Sequence, residues 1–220
     1  AKTQRYLFWL WIHGDLDGKL GLGWDSMMSV PRQMTVDTEL RQLVFYPVKE
    51  LAGLRTRRVA SRRGEQLASG QTMLNLDVNS TQVDIEATFR WSDAGIPPGF
   101  SVGIAFFMSH SEVTRAVYNS TSSQILLDRS RSSLDRLPAP PFNEQTVLGG
   151  HVDKKPGESF IELRVLADRS VAEVFVQRGR ATMSGRAYPS LQSSTGVAVF
   201  VENEMKDGSQ LVSFDVDVWE

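Results

Sequence analysis

Residues 83–91 read VDIEATFRW, with apolar and polar residues alternating without a break. Val83, Ile85, Ala87, Phe89 and Trp91 fall on one face; Asp84, Glu86, Thr88 and Arg90 fall on the other. A side-chain period of two belongs to a pleated strand, not to a helix. It implies a sheet with one buried face and one wet face. The buried face needs a second layer against it.

The rest of the chain supplies strands. FSVGIAFFM (100–108) is nearly all apolar and suits a central strand. TMLNLDV, SFIELRVLA, VAEVFVQ, ATMSG, GVAVFVEN and LVSFDVDVW bring the total to about nine, separated by turn residues. No long amphipathic helix and no low-complexity segment interrupts them. The pattern is that of an all-β protein, an antiparallel β-sandwich, with Phe89 and Phe175 predicted in its core. Upstream, Tyr6 to Ile12 is strand-like and HGDLDGKLGLG is a loop. WDSMMSVPRQMTVD reads as a strand with Pro31 at an edge or bulge, and LRQLVFYPV (40–48) as another. Glu50 to Arg58 reads as a short helical or irregular linker.

Charge and composition exclude several functions. Lys+Arg is 24 against 26 Asp+Glu, so nothing asks for nucleic acid or an anionic membrane. No apolar run approaches the roughly 18 residues that span a bilayer. There is no Cys, hence no disulfide and no thiolate chemistry. His13, His110 and His151 form no close metal-ligand pair, and no cofactor or metal is predicted. The Arg-rich stretch RTRRVASRR (55–63) could face a polyanion. The slight acidity of the chain and the lack of interleaved aromatics favour a solvated, ion-paired face. Sequons at Asn79 and Asn119 are candidate glycosylation sites and suggest secretion. The first residues show no initiator Met and no signal layout, so the chain reads as beginning inside a fold.

Asp168-Arg169-Ser170 lies between two hydrophobic runs, and a second Asp-Arg-Ser lies at 128–130. Asp and Ser satisfy turn backbone groups, and the next hairpin closes at Arg178-Gly179. A glycosidase would need two carboxylates facing one bond, and a single turn Asp offers no partner. The residues therefore favour a structural turn over a catalytic device.

The wider stretch LRVLADRSVAEVFVQRGRATMSGRAYP (163–189) resembles a signature of glycoside hydrolase family 32, the invertase, inulinase and levanase family. The match rests on Asp168, Arg169 and Ser170, on Glu173, Val174 and Phe175, and on Arg186, Tyr188 and Pro189. LLDRSRSS (126–133) and the final FDVDVW are similar to family strands. RYLFWLWIHGD resembles the fifth propeller-blade strand, with Arg5 and Trp11 in step. WDSMMSVPRQMTV resembles the segment that closes the propeller, through Trp24, Met28, Ser29, Pro31 and Arg32.

The resemblance implies a five-bladed β-propeller whose closing strands precede the sandwich. Residues 1–48 would be the remnant of blade five, 49–62 a linker and 63–220 the sandwich. It implies a β-fructofuranosidase that releases or transfers β-D-fructosyl units from sucrose or fructans with retention. The family's catalytic motifs, Asn-Asp-Pro, Arg-Asp-Pro and a Glu beside Cys, do not occur in this chain. The implied partners are an N-terminal propeller portion and a sucrose or fructo-oligosaccharide substrate; homo-oligomer formation stays open. The implied location is secreted, extracellular or vacuolar. His13, Asp15 and Trp24 are candidate sugar contacts on the blade-five loop. A solvated turn for His13 and Asp15, and a propeller-core place for Trp24, stand beside that reading. Trp9 and Trp11 are expected in the core. A fructosyltransferase of the same family, a lectin-like sandwich and an adhesion module are the competing functions.

Overall fold

A computed structural model describes residues 4–14, 23–24, 26–67, 72–92, 95–134, 147–203 and 212–220. The N-terminal strands are β1 (Tyr6–Phe8), β2 (Trp11–Ile12), β3 (Met27–Met28), β4 (Arg32–Asp37) and β5 (Gln42–Pro47). They pair antiparallel as β1-β4-β5 and β2-β3. A 3₁₀ turn at Lys49–Leu54 leads to β6 (Arg58–Gln66), β7 (Met73–Asn75), β8 (Gln82–Trp91), β9 (Phe100–Met108), β10 (Val113–Asn119) and β11 (Gln124–Arg131). Then follow β12 (Val147–His151), β13 (Phe160–Asp168), β14 (Val171–Val176), β15 (Ala181–Arg186), β16 (Gly196–Asn203) and β17 (Val212–Trp219).

These strands make two six-stranded antiparallel sheets, β12-β11-β10-β9-β16-β7 and β15-β14-β13-β8-β17-β6. The expected β-sandwich is present, and FSVGIAFFM is an interior strand of its sheet. The two last strands enter the middle of both sheets: β16 lies between β9 and β7, and β17 between β8 and β6. Neither sheet is complete until the C-terminus is in place.

Strand β8 buries Val83, Ile85, Ala87, Phe89 and Trp91, as the alternation predicts. Phe89 meets Phe214 at 6.2 Å, and Trp91 meets Phe100 edge-on at 6.1 Å, between the sheets. Phe175 corrects the expectation. Ala172, Val174 and Val176 of β14 face the inter-sheet core, so Phe175 points the other way. It is buried nonetheless, because Tyr46 of β5 covers it with ring centroids 5.9 Å apart. All six residues of β14 are buried, so the outer face of this sheet is covered at that strand too. The N-terminal strands form that third layer.

One further reading changes. Residues 58–62, assigned to the linker, belong to β6, which pairs with β17. Its arginines hide the strand pattern because they meet a carboxylate on β17: Arg63 with Asp217 at 2.5 Å, Arg58 with Asp217 at 3.5 Å. Such charges also guard an edge strand against further pairing. The upstream Asp128-Arg129-Ser130 lies within β11, in line with the likeness of LLDRSRSS to a family strand.

Glu112 pins three loops. Its carboxylate is buried and accepts from the backbone N–H groups of Leu134, Ser190 and Leu191 at 2.8, 2.9 and 3.1 Å. The hydroxyls of Ser190 and Ser194 add bonds of 2.5 Å each. Burial alone would raise its pKa, but these donors hold it at about 2, below its ordinary 4.5. A depressed folded pKa stabilises the fold above pH 4.5, and that contribution is lost as the pH falls toward 2. It amounts to about 3 kcal/mol. Urea unfolding from pH 2.5 to 7 is expected to show this acid loss in the wild type and a flatter profile in Glu112→Gln; equal profiles contradict it.

Phe89→Ala and Phe175→Ala are each expected to cost about 3–5 kcal/mol. Tyr46→Ala should be non-additive with Phe175→Ala, which shares its contact, and additive with Phe89→Ala, which does not. Additivity of the Phe175 and Tyr46 changes in denaturant unfolding contradicts the three-layer packing.

Candidate functional site

The third layer is fixed to the sandwich by a buried ion pair. Arg32 opens β4, and Glu173 lies on the outer face of β14; they are 1% and 3% exposed. Arg32 Nη2 donates to Glu173 Oε2 at 2.5 Å, and the backbone N–H of Val30 donates to Oε1 at 2.7 Å. Ser184 Oγ also donates to Oε2, at 3.3 Å. Arg32 Nη1 reaches Thr182 Oγ1 at 3.2 Å, and the guanidinium lies 4.8 Å from the Phe175 ring centre. Burying two charges is expensive unless their hydrogen bonds are met, and this cluster meets nearly all of them. Pro31 sets the approach: its carbonyl accepts from Val48 at 3.1 Å, joining the two ends of the β4–β5 ribbon.

Around the pair the layers interlock. Arg164 of β13 donates to both oxygens of Asp84, at 2.9 and 2.7 Å, and stacks on Tyr46 at 5.6 Å. Arg55 shares Asp84 and stacks on Trp219 at 3.8 Å. Gly179 has φ +93° and lies under β5; a Cβ there would sit 2.2 Å from the Phe45 carbonyl oxygen. Only glycine permits that approach. At the rim, Lys155 binds Asp37 at 3.0 Å and Glu39 at 2.9 Å.

Asp168-Arg169-Ser170 is a hairpin turn that reaches in two directions. Asp168 accepts from Gln82 Nε2 at 2.9 Å, and Arg169, at φ 54°, donates its N–H to Thr81 at 2.8 Å. The Ser170 carbonyl accepts from Arg186 Nε at 3.1 Å and its hydroxyl from Nη2 at 2.7 Å. The Arg186 guanidinium then lies 4.6 Å from the Trp24 ring centre and 5.1 Å from that of Tyr188. Pro189 follows, half-buried.

The candidate sugar contacts lie at the ends of the β2–β3 hairpin. His13 is exposed, and Gly14 donates to Ser26 Oγ at 3.1 Å. Asp15 lies outside the described residues. Trp24 is 44% exposed on its Arg186 support, so it is not a core residue of this chain. Trp9 and Trp11, expected in the core, are 44% and 67% exposed. Their strands belong to the thin outer layer, with no further layer above them among the described residues. No cluster of three metal-ligating side chains occurs among the described residues. The residues that sequence reasoning missed are Thr182 and Ser184 against Arg32, and Asp84, Arg55 and Arg164 beside Tyr46. The alternation of ATMSGR, which puts Thr182, Ser184 and Arg186 on one face, was the available signal.

Residues 50–220 match the sequence family described as Glycosyl hydrolases family 32 C terminal. The chain belongs to glycosyl hydrolase family 32. It is 29% identical over 240 residues to the insoluble beta-fructofuranosidase isoenzyme CWINV1 of Arabidopsis thaliana, covering 92% of this chain and 40% of that protein. It is 28% identical over 234 residues to a fructan 1-exohydrolase of Hordeum vulgare, covering 90% and 38%. The solved fructan 1-exohydrolase IIa from Cichorium intybus superposes with a TM-score of 0.77 over 98% of this chain and 45% of that one, at 22% identity. The family-32 chain thus spans about 40% of the length of the curated relatives it matches.

Glu173→Ala is expected to cost about 3–5 kcal/mol, because it leaves Arg32 as a buried, uncompensated charge. The double change Arg32→Met with Glu173→Leu should recover most of that loss. Chemical denaturation checks both, and a single variant within about 1 kcal/mol of wild type contradicts the assignment.

Proposed function

We propose that this chain is the C-terminal portion of a β-fructofuranosidase-type glycoside hydrolase. The whole enzyme releases or transfers β-D-fructosyl units from sucrose or fructans with retention of configuration. The sandwich packs on the propeller and stabilises it, while the catalytic carboxylates come from the N-terminal portion. The observation that carries the reading is the third layer. Its strands are locked onto the sandwich by Arg32 and Glu173, yet Tyr6, Leu7, Phe8, Trp9 and Trp11 stay exposed. Exposed aromatic patches of this kind mark interaction surfaces, and β1 ends its sheet with an unpaired edge. A free-standing lectin-like sandwich has no use for such a layer. Membership of family 32 and the names of its relatives support the fructosyl chemistry. Transfer stays within the reading, since a fructosyltransferase of Allium cepa is 25% identical over 99% of the chain.

His13 and Trp24 are the described residues we assign to the sugar side, His13 as a polar contact and Trp24 as an apolar face. Secretion accords with the sequon at Asn79, which is exposed between β7 and β8. Asn119 is half-buried, and its side-chain nitrogen, the atom a glycan would take, donates to Ser101 Oγ at 3.5 Å, so it is the poorer acceptor site. The cell-wall isozyme of Pisum sativum, 29% identical, points to the same compartment.

The test is fructose release from sucrose by this chain alone and by the chain joined to its N-terminal portion. Turnover is expected only in the second case. Turnover by residues 1–220 alone contradicts the reading, as does a complete protein inert on both sucrose and fructans.

A further inference from the structure

We infer that Arg186 is a positioning residue through which the Asp-Arg-Ser turn of the sandwich sets the pose of Trp24 at the sugar side. The inference rests on the fructosidase reading above and deepens it. Arg186 is 2% exposed, although it sits on the outer face of the last strand of its sheet. Its burial comes from the rings of Trp24 and Tyr188 and from Ser170. The two bonds to Ser170, at 3.1 Å to the carbonyl and 2.7 Å to the hydroxyl, fix both the position and the tilt of the guanidinium plane. Ser170 is fixed in turn, since its carbonyl also accepts from Ala187 at 2.8 Å and the preceding Arg169 is tied to Thr81 at 2.8 Å.

A half-exposed Trp on a loop otherwise has two free side-chain torsions. A guanidinium held 4.6 Å from the ring centre supplies a flat, charged seat that favours one ring orientation over the others. That leaves the 44% exposed part of the indole for a ligand. The geometry gives the turn a role beyond closing a hairpin. It couples the sandwich to the β2–β3 hairpin, so substitutions in the sandwich should change sugar recognition without touching the reaction centre. Sugar rings bind aromatic faces through their apolar C–H surface, so the ring's orientation decides which fructoside fits.

The experiment is a double-mutant cycle in the complete enzyme, with KM and kcat for sucrose read in wild type, Arg186→Gln, Trp24→Ala and the double variant. Arg186→Gln is expected to raise KM about 3- to 10-fold with a smaller change in kcat, and to add almost nothing once Trp24 is gone. Arg186→Lys should not rescue, since an ammonium cannot keep both Ser170 bonds and a planar stack. If Arg186→Gln does not fold, Ser170→Ala removes a single guanidinium bond, and a rise in KM that vanishes in the Trp24→Ala background gives the same answer. Acrylamide quenching of the Trp24 emission, taken as wild type minus Trp24→Phe, should increase in the Arg186 or Ser170 variant. Additive KM effects, or unaltered quenching, in an active enzyme overturn the inference alone. A complete enzyme without turnover overturns the fructosidase reading and the inference with it.

Discussion

The structure depends on one buried ion pair between chain segments about 140 residues apart, Arg32 and Glu173. Carboxylate and guanidinium lose their water together, and neither is tolerable there without the other. That makes the pair a register device. Only one alignment of Ser29-Val30-Pro31-Arg32 on β14 gives Glu173 both the Val30 N–H and the Arg32 Nη2. Once that alignment is set, Tyr46 falls on Phe175, and β5 falls against the glycine at 179. Arg164 closes the other side against Tyr46.

The consequence is a sandwich with unequal faces. In the sheet β15-β14-β13-β8-β17-β6, Arg90 of β8 stays exposed, while the outer face is covered at β14 and β15, where Glu173 and Arg186 are buried charges. Those charges are what the N-terminal strands grip. The outer layer in turn offers Tyr6, Phe8, Trp9 and Trp11 to whatever lies beyond it. The signature residues of the family fall into two linked groups at this junction. Arg32, Glu173 and Phe175 hold the layer down; Ser170, Arg186 and Tyr188 support Trp24. Their role in this chain is to hold the N-terminal strands against the sandwich.

Much of this was legible in the sequence. The alternation in VDIEATFRW fixed both the strand and its buried face. Three strands escaped for local reasons. Arginines masked β6, Gly149 and Gly150 diluted β12, and β10 buries polar Thr114 among its apolar residues. Phe175 was read as inter-sheet core because five of the six residues of β14 are apolar; Glu173, two positions away on the same face, was the one sign of its phase. The partners of Glu173 could not be read at all, since a contact across 141 positions leaves no local periodicity. Trp9 and Trp11 were assigned to a core because composition cannot say which layer a tryptophan faces.

The N-terminal strands belong to the sandwich through Arg32 and Glu173. Native-state hydrogen exchange tests it most directly, with the amides of β4 and β5 followed beside those of β9. In the wild type the account predicts protection in β4 and β5 that rises with global stability. In Glu173→Ala it predicts that β4 and β5 lose their protection while β9, in the opposite sheet, keeps most of its own. If β4 and β5 exchange in that variant as slowly as in the wild type, relative to β9, something other than the ion pair holds the layers together.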